Sequence, residues 1–92
     1  MNDIPALLKS EQTVIVDVRT PGEFMGGNVA GSINIPLNEI PQHLDEFKKM
    51  KQIVLCCASG GRSMQASMFL KQNDIECTDG GSWVNVNYYK NN

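Results

Sequence analysis

No run in this chain approaches the roughly 20 consecutive apolar residues needed to cross a bilayer. The opening stretch, Met1 to Lys9, has neither a basic leader nor a long apolar segment, so it does not read as a signal peptide, and a cytoplasmic protein is expected. Three cysteines, Cys56, Cys57 and Cys77, are too few and too odd for a disulfide framework. No Cys-x-x-Cys pair exists and the single histidine, His43, stands apart, so neither a zinc site nor another metal is expected. Basic charge is not in excess either. The net charge of −2 gives no reason to expect nucleic acid or an anionic membrane as a partner. There is no internal repeat and no low-complexity segment. The 92 residues suit one domain, residues 1–92, with a modest core.

What is present is organised around Ile53-Val54-Leu55-Cys56-Cys57-Ala58-Ser59-Gly60-Gly61-Arg62-Ser63. The stretch opens as an apolar, β-branched run, breaks into small residues and glycines, and turns helical from Ser63 to Lys71. A thiol thus falls where a buried strand passes into a helix. The first N–H groups of a helix lack intrahelical partners, and the helix dipole adds partial positive charge there. A loop of small residues lets further amides turn inward as an anion nest. Cys56 belongs to the apolar run and is expected to face the core. Cys57 begins the loop, so it is the candidate nucleophile. A free thiol has a pKa of about 8.5, which helix N-termini and cations lower to roughly 3.5–7.5. Arg62 supplies a permanent cation.

Strand and helix signals alternate along the chain and favour an α/β domain with a mainly parallel sheet. A short helix is expected over Ile4 to Lys9, with Asp3 as N-cap and Pro5 in its first turn. Thr13 to Val18 reads as a strand covered on both faces. Ser32 to Pro36 makes a short strand, Leu37 to Ile40 a turn, and Pro41 to Lys48 a short helix with Ile40, Leu44 and Phe47 inward. His43 lies on its polar side, as an exposed helix residue rather than a catalytic base. The helix after the loop carries Ala66, Phe69 and Leu70 on one face, with Met64 and Met68 packed alongside. Ile75 to Thr78 reads as the last strand, with Cys77 as a small core residue. A final helix runs from Ser82 to about Tyr89, and Trp83, Val84, Tyr88 and Tyr89 read as a packing lid.

Counting from Cys57, the loop reads Cys-Ala-Ser-Gly-Gly-Arg-Ser, with four residues between thiol and guanidinium. This resembles the active-site loop of single-domain rhodaneses, the thiosulfate or polysulfide sulfurtransferases. Related phosphatases place five residues there, and the smaller ring suits a single sulfur atom rather than a phosphoryl group. The resemblance extends to Asp17-Val18-Arg19 with Pro21 and Glu23-Phe24, to Gly27-Asn28-Val29-Ala30-Gly31-Ser32-Ile33-Asn34-Ile35-Pro36, and to Gly80-Gly81. It covers about Thr13 to Tyr89. Asn28 stands where the family commonly has His, Ser32 where it has Ala, and Trp83 lies earlier than the usual tryptophan. The resemblance implies a single rhodanese-like domain, with a mainly parallel central sheet flanked by helices on both faces. For Asp17 and Arg19 it implies bracing of the loop region; an ordinary strand-end ion pair with Glu23 or a neighbouring helix is the plainer alternative.

The chemistry implied is ping-pong sulfur transfer by nucleophilic catalysis. Cys57 thiolate takes sulfane sulfur from a small anionic donor, thiosulfate, polysulfide or a persulfide. The resulting persulfide is cradled by the loop of Ala58, Ser59, Gly60, Gly61, Arg62 and Ser63, with N–H groups from Ser59 to Ser63. A thiol, cyanide or protein acceptor then removes the sulfur. No cofactor is implied, and a monomer is expected. Ala58 replaces the basic residue that many such loops carry after the cysteine, which predicts weak thiosulfate binding and better use of polysulfides. Three other readings remain: a phosphatase or arsenate reductase, a non-catalytic or sulfur-carrier module binding a protein, and redox chemistry between Cys56 and Cys57, which the strain of a bridge between neighbours disfavours.

Overall fold

The computed structural model describes residues 3–92. Helix α1 (Ile4–Lys9) begins where the Asp3 carboxylate accepts the Ala6 N–H. Strand β1 (Thr13–Asp17) follows, then α2 (Pro21–Met25), β2 (Ile33–Asn34), a 3-10 segment (Leu37–His43), α3 (Leu44–Lys49), β3 (Gln52–Cys57), α4 (Gly61–Gln72), β4 (Thr78–Ser82) and α5 (Trp83–Lys90). The sheet has the order β2-β1-β3-β4 and every pairing is parallel. Two apolar strands, β1 and β3, occupy its centre, as expected for strands covered on both faces. No helix among the described residues is long and apolar enough to cross a membrane.

Alternation along the central strands divides the core into two layers. Val16, Ile53, Leu55 and Cys57 face one side and pack with Ile40, Phe47, Ala66 and Leu70 of the 3-10 segment, α3 and α4. Ile15, Val54 and Cys56 face the other, against Leu8 of α1 and Val86 of α5. The α/β class, the parallel sheet and the helices on both faces all agree with expectation. Adjacent cysteines consequently point into opposite layers, which gives the Cys56–Cys57 redox reading no support.

Several boundaries differ from those expected, for identifiable reasons. Thr20 and Glu23 form a reciprocal capping box that starts α2, a helix not anticipated. The 3-10 segment extends over Leu37 to His43 because Pro41 lacks the N–H an α-helix would use there. The last strand is Thr78–Ser82 rather than Ile75 to Thr78. It carries a bulge: Leu55 pairs with Asp79 but Cys57 with Ser82. Gly80 makes this approach feasible, since a Cβ there would lie 2.8 Å from Val54 Cγ1, 2.9 Å from the Leu55 carbonyl oxygen and 2.9 Å from Val86 Cγ2. Met64 and Met68 are exposed, not packed, and so are Val84, Tyr88 and Tyr89. Helix α5 instead buries Val86. His43 sits between Glu39 and Glu46, 2.6 Å from the latter, on the polar side as expected. Cys77 is buried against Ser67, as a core residue.

Candidate active site

Cys57 is the last residue of β3, not the first of the loop. Ala58 and Ser59 are exposed, Gly60 adopts φ +105°, and α4 begins at Gly61, two residues before its expected start. Gly60 as N-cap has no side chain to satisfy the helix's first amides. The thiol does so instead: Cys57 Sγ accepts the Ser63 N–H at 3.3 Å and the Gly60 N–H at 2.9 Å. The Ser63 hydroxyl lies 3.5 Å from Sγ and 2.7 Å from Asp79 Oδ1. The amides therefore converge on the sulfur itself, and the ring is closed around it.

Closure has a consequence that the sequence did not predict. Cys57 has no solvent-accessible surface. A donor reaches Sγ only when the chain around it moves. Burial pushes the Cys57 thiol up, but the hydrogen bonds its thiolate form would draw from the Ser63 hydroxyl and the amides of Ser63, Gly60 and Ser59 together outweigh it and hold the thiol below its ordinary value. Cys56 lacks such donors, and burial first, then the Asp17 charge, pushes it up to about 12. The two thiols differ as anticipated, through hydrogen bonds rather than the Arg62 charge.

Arg62 is engaged elsewhere. Its guanidinium donates to Glu23 Oε1 at 2.7 Å and Oε2 at 3.0 Å. The Glu23 partner is the first cause of its raised pKa, with the field of Cys57 a lesser one. Arg62 also borders an apolar cleft of about 350 Å³ lined by Val18, Thr20, Pro36, Leu37 and Asn38. Gly61 is exposed and Ser63 fully buried.

Asp17 and Arg19 pair with each other rather than with Glu23. The Asp17 carboxylate accepts the Arg19 backbone N–H, Nε–H and Nη2–H, the last at 2.7 Å. Arg19 also donates to the Gly27 carbonyl at 2.6 Å and lies 4.8 Å from the centre of the Trp83 ring. Asn34 donates to the carbonyls of Asp17 and Arg19, both at 2.9 Å. This buried network ties the end of β1 to β2, to Gly27 and to α5, beside Cys57. It is structural. A Cβ on Gly27 would lie 3.1 Å from the Trp83 ring, so that tryptophan packs against the network and the core beneath it, as expected.

Two residues of the site were not anticipated. Glu23 was visible in outline, since Thr20-x-x-Glu23 is a capping signature. Asp79 gave no signal beyond standing before two glycines.

The rhodanese-like domain model matches residues 1–90. The chain belongs to the rhodanese-like domain family. A sulfurtransferase of Allochromatium vinosum is 36% identical over 66 residues, covering 72% of this chain and 62% of that protein. A tRNA uridine(34) hydroxylase of Bartonella bacilliformis is 32% identical over 81 residues, 80% of this chain but 27% of the hydroxylase. The chain thus spans less than two thirds of either relative. Among solved structures, a rhodanese-like domain protein from Staphylococcus aureus superposes with a TM-score of 0.71 at 36% identity, covering 82% of this chain and 76% of that one. This rhodanese-like chain carries the expected Cys57-to-Arg62 loop on a strand-to-helix junction at the carboxyl edge of a parallel sheet, where open α/β sheets bind ligands.

Proposed function

We propose that this rhodanese-like domain is a sulfurtransferase, moving sulfane sulfur through a persulfide on Cys57. The observation that carries the reading is the convergence of the Gly60 and Ser63 amides on Cys57 Sγ. Donors fixed around one sulfur stabilise the attacking thiolate. They stabilise it again as the leaving group when an acceptor takes the outer sulfur. The closed ring has to open for the donor, and Gly60, at φ +105°, is the residue with the backbone freedom to serve as hinge. Asp17 and Arg19 brace the base of the loop.

Polysulfide or an organic persulfide is the preferred donor in this reading. Arg62 is neutralised by Glu23, Ala58 adds no charge, and the cleft beside Arg62 is apolar, so a thiosulfate dianion meets little positive field. A thiol or a protein takes the sulfur, and the domain works as a cytoplasmic monomer; three free thiols suit a reducing compartment. The test is intact mass with peptide mapping after treatment with polysulfide or thiosulfate. One added sulfur on Cys57, removed by cyanide, is the expected result; addition at Cys56 or Cys77 would reject the assignment.

A second reading is favoured by the sealed thiol: a carrier or binding module whose partner opens the loop. Sulfur uptake by the isolated chain decides between them, since the carrier reading predicts none without the partner.

A further inference from the structure

Ser63 has three groups within reach of its hydroxyl. Asp79 Oδ1 lies 2.7 Å from its hydroxyl oxygen, the Gly60 carbonyl 3.1 Å and Cys57 Sγ 3.5 Å. A hydroxyl has one proton to give. The short bond to a carboxylate is the charge-assisted one, so that proton goes to Asp79. Ser63 Oγ is then an acceptor towards the Cys57 S–H. Asp79 Oδ1 is itself held by the Gly81 N–H at 3.0 Å, in the bulge that brings β4 against β3. One chain of hydrogen bonds therefore links a thiol with no exposure to a half-buried carboxylate.

We infer that Asp79 is a positioning residue for Cys57 that acts through Ser63, holding the serine proton away from Sγ so that the resting thiol stays protonated. The inference rests on Cys57 being the reacting thiol of the proposed transfer. On ionisation the S–H bond breaks and its proton joins Ser63 Oγ, while the electron pair stays on sulfur. Ser63 hands its own proton to Asp79 Oδ1, and the carboxyl releases it to water. The thiolate then accepts the Ser63 hydroxyl together with the Gly60 and Ser63 amides. Asp79 is again a carboxylate, with Gly81 as its remaining donor on Oδ1. The same turn of the hydroxyl serves when Cys57 departs as a thiolate from its persulfide.

Other charged and titratable groups lie near Cys57 without pointing at its sulfur. Cys56 lies beside it on β3, Arg62 on α4 with Glu23 of α2 upon it, and Asp17 with Arg19 at the end of β1. Among the described residues, none of these hydrogen-bonds to Sγ or to the Ser63 hydroxyl.

The experiment follows alkylation of Cys57 by iodoacetamide against pH on the full chain, resolved by peptide mass and without any sulfur donor. Asp79→Asn keeps an acceptor for Gly81 but removes the charge that holds the serine proton. It should lower the apparent pKa of Cys57 by about one unit. Ser63→Ala removes the donor and should raise it by about one unit. With Ser63 already replaced, Asp79→Asn should shift the profile far less. No shift in Asp79→Asn, or an upward one, overturns the inference; an equal shift in the Ser63→Ala background assigns the effect to the carboxylate's field alone and also overturns it. If Asp79→Asn does not melt cooperatively, Asp79→Ser replaces it with the same expected direction. Failure of sulfur uptake would reject the proposed function while leaving these titrations readable.

Discussion

Glu23 grips the guanidinium of Arg62 with both carboxylate oxygens, at 2.7 and 3.0 Å, although the two residues are separated by 39 positions in sequence. The pair joins the first turn of α2 to the first turn of α4 and occupies the cation beside the Cys57 loop. Glu23→Gln should release Arg62 towards incoming anions. The readout is the ratio of Cys57 alkylation by iodoacetate, an anion, to that by neutral iodoacetamide. The ratio should rise a few-fold at low salt and fall back as salt is added. The pair should also survive acid. The Arg62 hydrogen bond holds Glu23 down to about 2, so its contribution is present above the ordinary carboxylate range and is lost only as pH falls towards 2.

The adjacent thiols should separate by mutation. Cys57→Ser should abolish sulfur uptake, because an alcohol is not ionised near neutral pH. Cys56→Ser should retain uptake but lose stability: the hydroxyl enters an apolar layer with Val54 and Val86, at a cost of about 1–3 kcal/mol if unpaired. Thermal melts and mass-resolved sulfur uptake on both variants check this. Uptake lost in Cys56→Ser and kept in Cys57→Ser would reverse the assignment.

Much of this was legible in the chain because the strongest signals were local. Apolar β-branched runs marked β1 and β3, and the break into Ala58-Ser59-Gly60 marked the junction that follows. The roles of Glu23 and Asp79 were not legible, because each acts across the fold on Arg62 and Ser63. The last strand was misplaced because the apolar and β-branched residues stand at Ile75 to Thr78, while tertiary packing draws Gly80 and Gly81 into a bulged strand. The exposed methionines and tyrosines were misread because an apolar residue on a short helix does not reveal which face meets the sheet.

The glycine in that bulge is a point of maximal constraint. Gly80→Ala would set a methyl group against a backbone carbonyl and two packed valines at under 3.0 Å. An overpacking cost of about 1–3 kcal/mol is expected, read as a lower urea midpoint. Gly22→Ala is the control, because nothing lies within 4 Å of its added carbon.

Arg19 should not tolerate lysine. Its guanidinium serves the Asp17 carboxylate, the Gly27 carbonyl and the Trp83 ring at once, and an ammonium cannot match that planar fork. Arg19→Ala strands a fully buried carboxylate, a loss of about 3–5 kcal/mol. Arg19→Lys should fall between that variant and the native chain in urea titrations. If both substitutions left stability unchanged, the network would not be bracing the sheet edge.

Alkaline stability follows from the unequal thiols. Cys57 is held below its ordinary value, so the unfolded chain binds more protons there as pH rises towards about 8.5, and stability rises over that window. Above it that contribution is complete and the sign reverses. Cys56, pushed up to about 12 chiefly by burial, stays protonated in the folded chain while the unfolded thiol ionises. Cys77, raised first by burial as well, adds to the effect. Each such thiol removes about 1.4 kcal/mol per pH unit between its unfolded and folded values. Urea unfolding free energies measured from pH 8 to 10.5 should therefore decline less steeply in Cys56→Ala than in the native chain. The difference should approach one proton's worth of slope, whatever the absolute cost of the smaller side chain. Parallel curves would mean that Cys56 ionises as readily inside the fold as outside it, contrary to its burial between β3 and the α1–α5 layer.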